Sequence, residues 1–465
     1  MTQPLSIKAL ADLPDLLALH AGHPDRYPHL LSSNAAAIAA DAPNSLARFD
    51  ILFAFPQQTI TSLSSDSEQL NFLQLLDSHW QHEKQPLDMD HFPVTDLPFR
   101  GGWFLYLGYE LAQQIETGLN LPEAEDGLPV AFATRFPAAI IIDSHSQQAY
   151  LVCETAFSEC VEQIEADLKH NASKTEYRQT FENAEIMEDD ETAYLEQQKK
   201  LHQYIVDGDV FQVNLSRRWQ TKLSNTVNHA SVYHQLSQSN PGPFNALVTL
   251  GDKAIISSSP ERLVQLKDGW IQTRPIAGTR PRSVDAAADV TLSTELLAHP
   301  KERAEHIMLI DLERNDLGRV CEPGTIEVNE LMVLKSYRHV HHIVSNVRGR
   351  PRADITPGQL IAAVFPGGTI TGCPKVRCME ILAELEQVGR GAYTGSLGYL
   401  NHDGTMDLNI LIRTITRDAE KLQFRAGGGI VVDSNPENEL NETRAKAKGL
   451  IHALQSGNKY LKVNG

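Results

Sequence analysis

Two short stretches carry carboxylates in pairs. "KERAEHIMLIDLERND" (301–316) contains Glu302 and Glu305, and "ENELNETR" (437–444) contains Glu439 and Glu442. Each pair is spaced i, i+3, so on a helix both carboxylates share one face. Such a face can hold a hard cation such as Mg²⁺, which takes one or two carboxylates, keeps waters and leaves a position for a substrate oxygen. It can equally be a solvated face, and acidic residues also suit the positive end of a helix dipole. The two pairs become jaws of one site only if the fold brings their helices together.

Two further stretches invite a chemical reading. "FPGGTITGCPK" (365–375) has the glycines of a phosphate loop, but Cys373 and Pro374 separate Gly372 from Lys375, and no Ser or Thr follows the lysine. A Walker-type nucleotide site is excluded. What remains is a tight loop before a helix with Pro374 at its first position, or a set of backbone N–H groups and threonine hydroxyls facing an anion. "YRHVHHIVS" (337–345) holds His339, His341 and His342. On a strand the first two face one way and His342 the other, which disfavours a zinc cluster and leaves a single catalytic or packed histidine.

These residues need elements to hold them. Strand candidates are "FDILFAFP", "AAIIID", "AIISSS", "WIQTRPI", "HHIVSNV", "GSLGYL", "LNILIRTITR" and "LQFRAGGGIVV". Helix candidates are "LNFLQLLDSHW", "DDETAYLEQQKKLHQYIVDGD" stopping near Gly208, a long segment broken at Pro300, "TPGQLIAAVF", "KVRCMEILAELE" and the C-terminal "NELNETRAKAKGLIHALQ". The strands lack regular βα alternation, so an α+β fold is expected, with antiparallel sheets in a sandwich-like core and helices packed outside. The polar stretch 170–192 is a candidate linker. It separates an N-terminal region, 1–175, from a catalytic region, 190–455.

Bulk composition narrows the classes. The chain has 465 residues with 41 basic and 59 acidic side chains, a formal charge of −18. Nucleic acid and anionic membranes are repelled by such a surface. An anionic small substrate then needs a local cation or basic cluster. Five cysteines in no C-x-x-C pattern suggest neither a disulfide framework nor zinc. The N-terminus shows no basic leader with an apolar core, and no transmembrane run is visible. The expectation is a cytoplasmic enzyme or binding protein.

Read together, "SPERL", "QTRPIAGTRPR", "KERAEHIMLIDLERNDLGRV", "FPGGTITGCPKVRCMEI", "YTGSLGYL", "IRT" and "AGGGIVVDS…ENELNETRAKA" resemble, in this order, the chorismate-utilising family of anthranilate synthase and aminodeoxychorismate synthase large subunits. "LARFDILFAFP", "LPFRGGWFLYLGYEL" and "FQVNLSRRW" look like the aminodeoxychorismate branch, where anthranilate synthases tend toward "FQVVPSRR". The resemblance implies Mg²⁺ held by Glu305 and Glu442, with Glu302 and Glu439 acting directly or through water, to receive the ring carboxylate of chorismate. It implies Arg413 and Tyr393 at the enolpyruvyl carboxylate. Gly278, Gly427, Gly429, Thr279, Thr369 and Lys446 match family binding positions. Glu261 matches the acid that protonates the leaving C4 oxygen, and His342 the histidine beside the ring.

One position departs from the aminodeoxychorismate pattern. "PIAGT" has Ala277 where that branch often has a lysine nucleophile, and a methyl group cannot attack. Anthranilate synthases carry this alanine. The surrounding stretches point to 4-amino-4-deoxychorismate, a step toward 4-aminobenzoate and folate, with ammonia or water as first nucleophile. Ala277 points to anthranilate plus pyruvate, toward tryptophan. A reading from another class is a non-catalytic anion-binding regulatory protein on the same fold. No cysteine sits in the G-x-C-x-G elbow of a glutaminase, so ammonia is expected from a separate amidotransferase subunit. Family precedent also places tryptophan at the N-terminal region.

Overall fold

The computed structural model describes residues 5–33, 48–63, 71–84, 94, 96–171, 177–179, 181, 184–283, 285–336 and 340–455. Among them, two antiparallel sheets of twelve and ten strands dominate. Along its main path the larger runs Leu5–Ala9, Gln148–Glu154, Ala138–Asp143, Phe49–Ala54, His29–Ser32, Phe244–Leu250, Lys253–Ser259, Thr414–Asp418, Lys421–Ile430, Gln212–Lys222 and Gly372–Cys373. The smaller runs Ile276–Pro281, Val340–Gly349, Trp270–Thr273, Arg262–Lys267, Met406–Asn409, Ser396–Asn401, Gly102–Leu107, Ala131–Phe136 and Thr59–Ser62.

The sheets face each other across an apolar layer. Phe53, Ile141, Val152 and Val248 from one meet Phe104, Tyr106, Phe132 and Leu397 from the other. Helices cover the outer faces: Leu16–Gly22, His229–Ser239 and Pro436–Gln455 on the larger sheet, Phe72–Glu83, Pro300–Gly318 and Pro357–Val364 on the smaller. This is the α+β sandwich expected from the strand spacing. Both regions, 1–175 and 190–455, supply strands to both sheets: His29–Ser32 pairs with Phe244–Leu250, and Gly102–Leu107 with Ser396–Asn401.

Local sequence sets several boundaries. The long helical segment breaks into Ala286–Ala298 and Pro300–Gly318, with Pro300 at the start of the second helix, where its missing N–H costs nothing. Pro357 starts its helix in the same way, behind a Thr356–Gln359 capping box. Pro374 lies one residue earlier than expected, as the N-cap of Lys375–Glu386.

Two expected single strands are each divided. "WIQTRPI" splits at Arg274–Pro275 into strands that pair with successive parts of Val340–Gly349, because Pro275 cannot donate to a ladder. "LNILIRTITR" splits into Met406–Asn409 in the smaller sheet and Thr414–Asp418 in the larger. The chain crosses between sheets at 410–413, where Arg413 has φ +51°. Its pairing neighbours make the same crossing. Lys253–Ser259 pairs with Thr414–Asp418 in the larger sheet, Arg262–Lys267 pairs with Met406–Asn409 in the smaller, and Pro260 and Glu261 bridge them.

Candidate active site

The sheet crossings put an acid and a cation side by side. Glu261 is held by Ile410 N–H donating to its carbonyl at 3.0 Å, and Ser258 N–H donates to the Arg413 carbonyl at 3.1 Å. The Glu261 side chain is 6 % exposed. Burial pushes its carboxyl up to about 7, against the opposing pulls of the Thr369 hydroxyl, Lys446 and Arg413. The Thr369 hydroxyl donates to Glu261 Oε1 at 2.8 Å. Thr369 lies in the short 3₁₀ turn Gly368–Ile370 of the glycine-rich stretch. A carboxyl that keeps its proton near neutrality can act as a general acid. Burial pulls Arg413 below its usual value while Glu261 opposes this, and its guanidinium makes no hydrogen bond among the described residues. An unpaired planar fork beside a protonated acid is a receptor for a carboxylate.

The "IAGT" stretch borders this pair. Ala277 opposes Ile343 and Thr279 opposes His342, with the register shifting between them. Gly278 takes up the shift at φ +71°, the bulge conformation glycine adopts without strain. A Cβ there would stand 2.9 Å from Glu302 Oε2, so the bulge and the first glutamate of its pair are in contact. Arg280 donates to Glu302 at 3.2 Å. His342 is buried, and burial, with Arg413 nearby, lowers it to about 4 against a hydrogen bond with the Gly278 backbone. It is a neutral imidazole at physiological pH. His341 on the other face bonds Asp289 at 3.0 Å and Ser336 at 2.8 Å. His339 and the Thr279 side chain lie outside the described residues.

Three consecutive glycines join the remaining groups. A Cβ on Gly427 would meet Leu215 O at 2.6 Å, Asn214 Oδ1 at 2.7 Å and Tyr393 Oη at 2.9 Å. One on Gly428 would meet Glu439 Oε2 at 3.2 Å and Glu442 Oε1 at 3.5 Å, and one on Gly429 would meet Gln212 Nε2 at 2.2 Å. Gln212 in turn donates to Glu305 Oε1 at 2.9 Å. Glu439 and Glu442 therefore reach the Gly427–Gly429 backbone directly and Glu305 reaches it through Gln212, while Glu302 meets the Gly278 bulge. Lys446 ties the helix to the strand, donating to Gly427 O at 2.9 Å and pairing with Glu442 at 2.8 Å. Tyr393 is 6 % exposed, and burial pushes its phenol up to about 12.

The four carboxylates are hard oxygen donors with no thiolate or imidazole among them, a set suited to Mg²⁺. No three acidic, His or Cys side chains among the described residues close into a metal cage. An ion that keeps most of its waters does not need one.

Sequence reasoning overlooked two residues. Gln212 and Asn214 alternate on the Gln212–Lys222 strand and are 5 % and 9 % exposed. Each has a buried amide oxygen, Gln212 Oε1 and Asn214 Oδ1, without a hydrogen-bond partner. The available signal was the run of polar residues at every second position from Gln212 to Gln220. Lys375 pairs with Asp316 at 2.6 Å, which gives the end of the glycine-rich stretch a structural role.

The fold and this constellation define a class. A model of the chorismate binding enzyme family matches residues 35–452, and the chain belongs to that family. Among curated relatives, the "Anthranilate synthase component I-like protein" of Synechocystis sp. is 44% identical over 360 residues, 77% of this chain and 74% of that one. The "Aminodeoxychorismate synthase component 1" of Salmonella typhimurium is 36% identical over 436 residues, 90% of this chain and 92% of that one. The crystal structure of anthranilate synthase component I from Streptococcus pneumoniae superposes with a TM-score of 0.77 at 29% identity, covering 90% of this chain and 95% of that one. The chain is thus a chorismate-utilising enzyme whose relatives carry both reaction names. No helix among the described residues is long and apolar enough to cross a membrane.

Proposed function

We propose that this enzyme aminates chorismate at ring carbon C4, giving 4-amino-4-deoxychorismate and water, with ammonia from a separate glutamine amidotransferase subunit. The observation that carries the reading is Glu261, a buried acid with a value of about 7, hydrogen-bonded by Thr369 beside Arg413. Hydroxide is a poor leaving group, so the C4 oxygen must leave protonated. Glu261 donates that proton as a nucleophile adds at C2 and the ring double bonds shift. Ammonia then adds at C4, the first nucleophile leaves C2 with its electron pair as the neutral ammonia or water it arrived as, and Glu261 regains its proton from the nascent ammonium. Because Ala277 supplies no nucleophile, the first addition falls to ammonia or water. Arg413 and Tyr393 hold the enolpyruvyl carboxylate, neutral His342 lies beside the ring, and Gly278, Thr279, Thr369, Gly427, Gly429 and Lys446 line the substrate.

Glu305 and Glu442 would hold Mg²⁺, with Glu302 and Glu439 beside them. When bound, the ion supplies the positive charge that lets an acidic pocket receive the ring carboxylate. Match over nine-tenths of both chains supports the aminodeoxychorismate branch, and "component 1" in the relatives' names supports a second subunit. The reaction is assigned to the cytoplasm, and tryptophan, as ligand or inhibitor, to region 1–175.

Ala277 and the Synechocystis relative favour a second reading, anthranilate with release of pyruvate. Incubation of the chain with chorismate, Mg²⁺ and ammonium, followed by mass identification of the product, separates the two. Stoichiometric anthranilate and pyruvate would overturn the proposal.

A further inference from the structure

The Asn214 amide is oriented by its surroundings. Its Nδ2 donates to the Thr369 carbonyl at 3.4 Å, and a carbonyl can only accept, so Oδ1 is the group left over. That oxygen is buried and has no donor within the protein. A buried acceptor left unpaired is costly, and native structures seldom retain one without a use. Thr369 connects the amide to the acid: its carbonyl receives Asn214 Nδ2 and its hydroxyl donates to Glu261. On the other side, Gly427 brings Oδ1 close to the Tyr393 hydroxyl, which makes no hydrogen bond among the described residues.

The chemistry of an unpaired carbonyl oxygen selects its partner. It repels carboxylates, so neither carboxylate of the substrate is its ligand. It accepts from N–H and O–H. Beside Glu261 the groups of that kind are the departing C4 hydroxyl and the arriving nitrogen. Ammonia becomes a charged R–NH₃⁺ as it bonds to C4, and its N–H groups need acceptors.

We propose that Asn214 is a specificity-determining residue whose side-chain carbonyl receives the nitrogen that bonds to C4. The inference rests on the amination reading above and extends it to the choice of carbon. A valine at this position offers the arriving nitrogen no acceptor. Asn214 forms and breaks no covalent bond; it accepts a hydrogen bond that strengthens as positive charge develops on nitrogen.

Two variants test this beside the wild type, each assayed with ammonium as the varied substrate. Asn214→Val removes the acceptor in a side chain that suits a strand. Asn214→Asp keeps an acceptor but loses the donor to Thr369. Thermal unfolding with and without chorismate identifies folded, substrate-binding protein. With Asn214→Val, kcat/KM for ammonium should fall about tenfold to a hundredfold while KM for chorismate moves less than about threefold, the loss expected for one hydrogen bond to a charged group. The product should also shift from the C4 amine toward nitrogen at C2. Asn214→Asp should retain most of the ammonium dependence and the C4 product. Wild-type ammonium kinetics and product in Asn214→Val would overturn the inference alone. So would equal loss in the two variants, which would assign the residue to holding Thr369. Anthranilate as the wild type's sole product would overturn the amination reading and the inference with it.

Discussion

Replacing Glu261 by glutamine should stabilise the protein at alkaline pH while disabling it. The carboxyl moves from 4.5 to about 7 on folding because it is buried. A folded value above the unfolded one means that the native state holds the proton more tightly. The contribution is fully present below the unfolded value and is lost as pH rises through about 7. The difference of roughly 2.5 units corresponds to about 3 kcal/mol at 1.36 kcal/mol per unit. Glutamine has nearly the same shape, never ionises, and keeps an oxygen to accept from Thr369. The variant and the wild type should therefore differ little near pH 4.5, and the variant should gain up to about 3 kcal/mol by pH 8. Urea unfolding at stepped pH values measures this directly. Turnover should fall by about 10²- to 10⁴-fold, the usual worth of a general acid. A stability difference that stays constant from pH 4.5 to 8 would refute the claim that Glu261 is buried as a neutral acid in the native state.

Other consequences are accessible to simple assays. Glu305→Gln and Glu442→Gln should each raise the magnesium concentration needed for turnover by at least about tenfold, since a neutral amide is a weak Mg²⁺ ligand; an unchanged magnesium titration would remove the residue from the cation site. The isolated chain should turn over chorismate with ammonium but not with glutamine, and glutaminase activity in this chain alone would contradict the reading of its cysteines. Gly427→Ala should cost several kcal/mol or abolish binding, because its Cβ would stand 2.6 Å from the Leu215 carbonyl, a backbone atom that cannot swing away; wild-type melting and wild-type KM for chorismate would show that the strands part more easily than their pairing implies.

What the sequence disclosed depended on how local each signal was. Both glutamate pairs were legible because i, i+3 spacing on a helix is a short-range property, although nothing local said that Gly428 and Gln212 would bring Glu439, Glu442 and Glu305 to one strand segment. The helix break at Pro300 and the sandwich architecture were legible for the same reason. Glu261 and Arg413 were reached only through family resemblance. Their setting depends on paired strands changing sheets together, and the left-handed turn in "LNILIRTITR" falls on Arg413, not on a Gly or Asn that would mark it. Pro275 was a visible break within "WIQTRPI" that the hydrophobic pattern outweighed. Gln212 and Asn214 escaped because alternating polar and apolar residues also describe a half-exposed strand; burial on both faces emerges only when the sheet is assembled.

The sharing of both sheets between the two regions has a consequence at the ribosome. Gly102–Leu107 pairs with Ser396–Asn401 and His29–Ser32 with Phe244–Leu250, so the early strands cannot find those partners until most of the chain has been made. At common synthesis rates of 5–20 residues per second, the wait from Leu107 to Ser396 is roughly 15–60 s. During that interval the nascent chain presents unpaired, strongly apolar strand edges such as "GWFLYL", which are templates for wrong pairing. Chaperone supply during translation, more than the stability of the finished protein, should therefore govern how much active enzyme a cell obtains. Slowing synthesis alone would lengthen the exposure instead of relieving it.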